Sequence, residues 1–156
     1  MEQREEAQNR PTIAYRLETG DASYNSSTGD FVSLGSDIAG TGYDVAHVKW
    51  CGSWQMPTHD QQVELIDKCS SEWTTVNGVN GRKFTGPNGG TVFLPAAGNR
   101  WYDVLDDAGT YGYYWLSTQR PSFSSSAYGM GFGSGSAYWY YNSRSGGQSV
   151  RAVLKR

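Results

Sequence analysis

The sequence runs out of acid early. All 15 Asp and Glu lie at or before Asp107, and from Ala108 to the C-terminus there is none. Eight Lys and Arg accompany the acids and five follow them, so a net charge of −2 hides a first part at −7 and a last part at +5. The five late cations, Arg120, Arg144, Arg151, Lys155 and Arg156, are scattered. A phosphate-binding stripe would cluster them, so no nucleic-acid partner is expected. The same lack of acid leaves the last third without hard oxygen ligands for calcium.

Cysteine is scarce as well. Cys51 and Cys69 are too few for a disulfide scaffold and lack zinc-ligand spacing. One disulfide or two buried thiols remain as readings. No apolar run approaches the roughly 20 residues of a membrane span, so no membrane insertion is expected. The start, MEQREEAQNR, is charged and has no apolar core like that of a signal peptide. This leaves cytoplasmic synthesis, or a leader upstream of these residues.

At 18% charged and 14% aromatic the chain is unsuited to disorder, and 20 Gly are too many for a helical bundle. One domain of 156 residues buries roughly 70% of its unfolded surface, enough for a core without staples. The feature that stands out is Tyr111 to Gly147, made almost wholly of Tyr, Trp, Ser, Gly and a few Arg. Rigid aromatics beside small adaptable residues are what antibody loops use for contact, and the stretch reads as a recognition surface.

Along the chain, Met1 to Arg10 reads as a frayed arm and the domain as residues 11–156. Thr12 to Leu17 alternates Ile13, Tyr15 and Leu17 as a weak strand. Glu18 to Gly42 is mostly loop. Asp44 caps a short helix that presents Val45 and Val48 on one side and is ended by Gly52. Thr58 and Gln61 form a capping box for a helix from His59 to Cys69, with Val63, Ile66 and Cys69 at helical spacing.

After Trp73 the pattern changes to hairpin chemistry: Glu72 to Val76, Asn77-Gly78, Asn80-Gly81, Arg82 to Thr85, Gly86 to Gly90, then a strand Thr91 to Leu94. Ala96 to Arg100 has small residues where two backbones pass closely, and Trp101 to Gly109 reads as an acidic loop. The last region alternates in three or four short strands, with Tyr113, Trp115, Met130, Phe132, Ala137 and Trp139 facing inward. The class expected is α+β, two short helices and a twisted, mainly antiparallel sheet.

Six motifs in this order, Asp44 to Trp50 (DVAHVKW), Gly52 to Thr58 (GSWQMPT), Trp73 to Gly78 (WTTVNG), Phe93 to Gly98 (FLPAAG), Gly112 to Trp115 (GYYW) with Ser117-Thr118, and Gly147 to Arg151 (GQSVR), resemble the Fibrobacter succinogenes major paralogous domain. The resemblance covers nearly all of the chain beyond about Tyr15. Leu116, Ala152 and Cys51 depart from the usual Ser, Pro and Gly of that family. It implies a C-type-lectin-like fold, distantly similar to formylglycine-generating enzymes and to variable proteins of diversity-generating retroelements. In the latter, adenine-directed mutagenesis rewrites codons near the C-terminus, and the altered side chains gather on one ligand-binding face. Such domains are abundant in Bacteroidetes surface proteins and their phages, so the implied location is the cell surface, the extracellular space or a virion.

The residues expected on the displayed surface are Gln119, Ser122, Ser124, Ser126, Ser134, Ser136, Tyr138, Tyr140, Tyr141, Asn142, Ser143 and Ser145. Their bland alternative is a solvated loop with no partner. The expected partner is a protein or glycan on another cell surface, and an oligomer is allowed. The second reading is a structural or assembly module of a pilus or phage fibre.

No enzyme is expected. His47 and His59 have no nucleophile or Asp-His arrangement around them, and the cysteine pair of the formylglycine-generating relatives has no counterpart in the C-terminal half. No cofactor or metal is expected either. The Glu-Pro-Asn, Gln-Pro-Asp and Trp-Asn-Asp signatures of calcium-dependent lectins are lacking, and Asp103, Asp106 and Asp107 read as a solvated loop. Arg151, between apolar positions, is expected to make a partly buried hydrogen bond or ion pair.

Overall fold

Asp44 and Thr58 start the two helices found among the described residues, each by accepting N–H groups that a helix start leaves unpaired. The computed structural model describes residues 24–25 and 30–155. The arm Met1 to Arg10 and the expected strand Thr12 to Leu17 lie outside them. The fully buried Asp44 carboxylate takes four backbone N–H groups: Ala46 and His47 on Oδ1, Gly40 and Met56 on Oδ2, all within 3.1 Å. It therefore ties helix α1 (Val45–Trp50) to the loop before it and the strand after it.

Helix α1 ends at Cys51, whose φ is 58°, one residue before the expected Gly52. Its buried residue is Ala46, while Val48 is 52% exposed, so Val45 and Val48 do not share a packed side as expected. Six residues are too few to lay two turns on a core.

Helix α2 (His59–Lys68) has the expected capping box, with Gln61 N donating to Thr58 Oγ1 at 3.2 Å and Thr58 N to Gln61 Oε1 at 3.0 Å. Its inner side keeps the expected Cys69 but otherwise differs from the expectation. Gln62 is buried and its amide donates to Met130 Sδ, and Leu65 and Cys69 pack on the core. Val63 and Ile66 are turned to the flank of the helix.

The strands in chain order are β1 (Tyr24–Asn25), β2 (Asp30–Phe31), β3 (Trp54–Gln55), β4 (Ser70–Val76), β5 (Val79–Thr85), β6 (Thr91–Pro95), β7 (Asn99–Trp101), β8 (Val104–Asp106), β9 (Gly112–Gln119), β10 (Ser126–Phe132), β11 (Ala137–Ser143) and β12 (Val153–Leu154). Every named pair is antiparallel: β1 with β2, β3 with β12, β7 with β8, the meander β4-β5-β6, and a central sheet ordered β11-β10-β9. This is a mixed α+β architecture.

Asn77-Gly78 makes the β4–β5 turn with φ of 51° and 80°, as a two-residue hairpin loop demands. Asn80-Gly81, read as a second turn, instead lies inside β5 opposite Thr75 and Thr74. Trp101 to Gly109 contains most of the β7–β8 hairpin rather than a plain loop. The close approach expected at Ala96 to Arg100 occurs at Gly98, where φ is 69° and a Cβ would run into the Asp106 carbonyl.

Strand β9 is buried on both faces. Tyr114 joins Phe84, Leu94, Met130 and Phe132 on one, and Trp115 joins Ala46, Met56 and Val150 on the other. Tyr113, expected inward, is only half-buried, and Tyr114 takes the core position. The outer edge of β9 is covered: Trp115 N donates to Ser149 O, Ser117 N to Pro57 O, Ile38 N to Ser117 O and Gln119 N to Ser36 O.

Candidate functional site

On one face of the central sheet strand β10 offers only small residues, Ala127, Gly129 and Gly131. Gly129 and Gly131 stand opposite Tyr140 and Tyr138 of β11, and both rings lie across the facing glycine. A Cβ on Gly131 would stand 2.7 Å from the Tyr138 ring, and one on Gly129 would stand 3.1 Å from the Tyr140 ring. From β9, Tyr113 meets Tyr140 edge-on with centroids 6.1 Å apart, and Tyr111 stacks on Tyr113 at 6.1 Å. The result is a glycine-floored trough filled by four tyrosines.

The hydroxyls distinguish them. Tyr113 donates to Asp107 Oδ2 at 3.0 Å and Tyr140 to Gln148 Oε1 at 2.8 Å. Burial raises both phenol pKa values well above the ordinary range, and the Asp107 carboxylate raises that of Tyr113 further. Burial also raises that of Tyr138, helped by Tyr111 and Asp107. These phenols stay neutral donors at any physiological pH.

The opposite face of β11 carries a second aromatic group. Trp139 and Tyr141 meet Tyr128 of β10, at 5.9 and 4.5 Å between centroids, and His59 of α2 sits 4.0 Å from Tyr128 and 5.3 Å from Trp139. Tyr141 donates its hydroxyl to Tyr128 Oη at 2.9 Å, and the Arg120 guanidinium lies over the rings of Phe123 and Tyr141.

Trp139, expected in the core, is 48% exposed. Its neighbour two residues back, Ala137, does pack on the core, but β11 is the sheet edge and the larger ring of Trp139 stays open to solvent beside His59 of α2. Between that helix and the strand runs an open groove of about 300 Å³ lined by Val63, Ile66, Asp67, Ala137, Tyr138 and Trp139.

The structure does not unite all the expected residues. Tyr138 and Tyr141 are exposed on β11, and Ser134 and Ser136 lie exposed in the turn at its start. Gln119, Ser122, Ser124, Ser126, Ser143 and Ser145 gather at the other end, about 20 Å away at 3.4 Å per strand residue. Several are structural. Gln119 accepts from Leu34 N and donates to Ser33 Oγ, Ser124 O accepts from Arg144, and Asn142 Oδ1 accepts from Ser143 N. Tyr140, expected exposed, is half-buried and held by Gln148. Tyr111, Tyr113, Tyr128, Trp139, His59, Val63 and Ile66 are the additions. The signal for the trough was the Gly-x-Gly-x-Gly run at 129, 131 and 133.

Two buried arginines clamp the hairpin through its backbone. Arg82 donates to Gly133 O and Gly135 O at one end, and Arg144 donates to Ser124 O and Val32 O at the other. The loop conformations thus depend on main-chain carbonyls. Arg151 is half-buried, and burial lowers its pKa; no hydrogen bond or ion pair joins it to another described residue. Cys51 is an exposed free thiol and Cys69 a half-buried one, so the two form neither the expected disulfide nor the expected pair of buried thiols. Among the described residues no three His, Cys, Asp or Glu converge on a cation position, and no helix is long and apolar enough to cross a membrane.

No curated protein and no solved structure matches the chain. The profile of the family described as "Domain of unknown function (DUF8237)" matches residues 6–153, and the chain belongs to that family.

Proposed function

We propose that this domain is a non-catalytic ligand-binding module of C-type-lectin-like fold, with β11 and the aromatics beside it as its contact surface. One observation carries the reading: Tyr138, Trp139 and Tyr141 are consecutive or nearly so on an edge strand and are 41%, 48% and 37% exposed. Large aromatics left in water on a rigid strand are binding anchors more often than idle surface. The ligand is a protein or glycan on another cell surface, and the carrier is an adhesin or a phage receptor-binding protein.

Retroelement diversification fits the way the hairpin is held. Arg82 and Arg144 grip carbonyls, so Ser134, Ser136 and Tyr138 can change without loss of those contacts. A near-copy of the C-terminal codons differing only at adenines, beside a reverse transcriptase in the flanking DNA, tests this part.

Binding itself is tested on an array of bacterial surface proteins and glycans. The Tyr138→Ala/Trp139→Ala double variant is expected to lose the signals of the wild type while Val48→Ala keeps them. Equal signals from all three sink the reading. The assembly-module alternative draws on the same bare strand edge, and a stable trimer by light scattering would favour it.

A further inference from the structure

We infer that β11 captures its ligand by strand addition, and that the ligand is an extended peptide segment of another protein, alternating apolar residues with one Lys or Arg. The inference rests on the binding reading above and commits it to a protein partner.

Hydrogen-bond parity shows which backbone groups are free. Gly133 N donates to Ser136 O and Arg144 N to Ser125 O. With the β10–β11 register between those bonds, residues 138, 140 and 142 face β10, and Trp139 and Tyr141 aim their N–H and C=O groups away from the sheet. None of those four groups has a partner among the described residues. The other edge of the sheet, at β9, is covered from Ser36 to Ile38, at Pro57 and at Ser149.

Natural edge strands are shielded by Pro, charge, a bulge or shortness. Strand β11 has none of these: it is seven residues of AYWYYNS in unbroken register. Side chains of an added strand would point alternately to its two faces. On one face they enter the groove over Val63 and Ile66, and on the other they lie beside Tyr138. Asp67 closes the groove, no Lys or Arg lines it, and Asp60 is exposed on the same helix. A cation on the incoming segment is complementary to that rim.

The test is to pan a phage-displayed library of random linear peptides against the full chain and to follow amide exchange by NMR with a synthesised winner. Expected are winners with alternating apolar positions and a basic residue, protection of the Trp139 and Tyr141 amides on binding, and affinity weakened about two- to five-fold by Asp67→Asn. Peptide binding that leaves those amides exchanging overturns strand addition. A glycan that binds the tyrosine face without protecting them overturns it too, yet leaves the ligand-binding reading standing. If neither peptide nor glycan binds, both fall. Protection already present in the free monomer means that the chain covers its own edge, and protection that grows with concentration alongside a dimer means that a second copy does. Either overturns the proposal.

Discussion

Tyr140 gives its hydroxyl hydrogen to Gln148 Oε1 at 2.8 Å, and Gln148 is fully buried. Tyr138, two residues away on the same face, has no such bond to any described residue and is 41% exposed. Tyr140→Phe leaves a buried acceptor unpaired and is expected to lower stability by about 1–3 kcal/mol. Tyr138→Phe is expected to stay within about 0.5 kcal/mol. Urea titrations of the two variants check the difference, and equal midpoints would contradict it.

The same burial sets a pH dependence. The folded state holds the Tyr140 proton above the ordinary value of 10.0, while the unfolded chain releases it there. Stability from this group is complete below that value and is lost as pH rises from it toward the folded pKa. Unfolding at pH 8 and pH 11 is expected to show a fall at the higher pH that is smaller in Tyr140→Phe. An unchanged fall would assign the effect to other groups.

Trp139→Ala separates an edge aromatic from a core one. A buried Trp costs about 3–5 kcal/mol when truncated. Here the loss is that of partial ring contacts with His59, Tyr128 and Tyr141, and about 1 kcal/mol is expected. A thermal melt that drops as far as a core truncation would put Trp139 back inside.

Arg82→Met removes the donors to Gly133 O and Gly135 O and is expected to cost about 2 kcal/mol, leaving the turn loose. Ser134→Tyr and Ser136→Arg touch no clamp and are expected within about 0.5 kcal/mol of the parent. Guanidinium unfolding of all three measures this. Intolerance at both serines would count against a diversified turn.

Gly98→Ala joins a φ of 69° to a clash with the Asp106 carbonyl. A loss of more than about 1 kcal/mol is expected. Because Gly98 N also donates to Tyr111 O, amide exchange at position 98 should quicken in the variant.

Local chemistry was legible in the sequence. The Asp44 cap, the Thr58–Gln61 box, the Asn77-Gly78 turn and the close approach at Gly98 each depend on a few neighbouring residues. Asn80-Gly81 misled because the same dipeptide chemistry serves a turn or a strand position, and pairing with Thr74 and Thr75 decided between them. On α2 the apolar spacing pointed to Val63 and Ile66, yet the Met130 thioether accepts the Gln62 amide and lets Gln62 face inward.

By itself the sequence determined that this chain makes an α+β domain whose acid-free last third is crowded with Tyr, Ser and Gly. Which of those residues meet solvent was decided by tertiary structure. Tyr138 to Tyr141 places aromatics on both faces of one strand, so alternation has no apolar side to choose. What chooses is the position of β11 at the edge of the sheet, with α2 alongside one face and the glycines of β10 under the rings on the other.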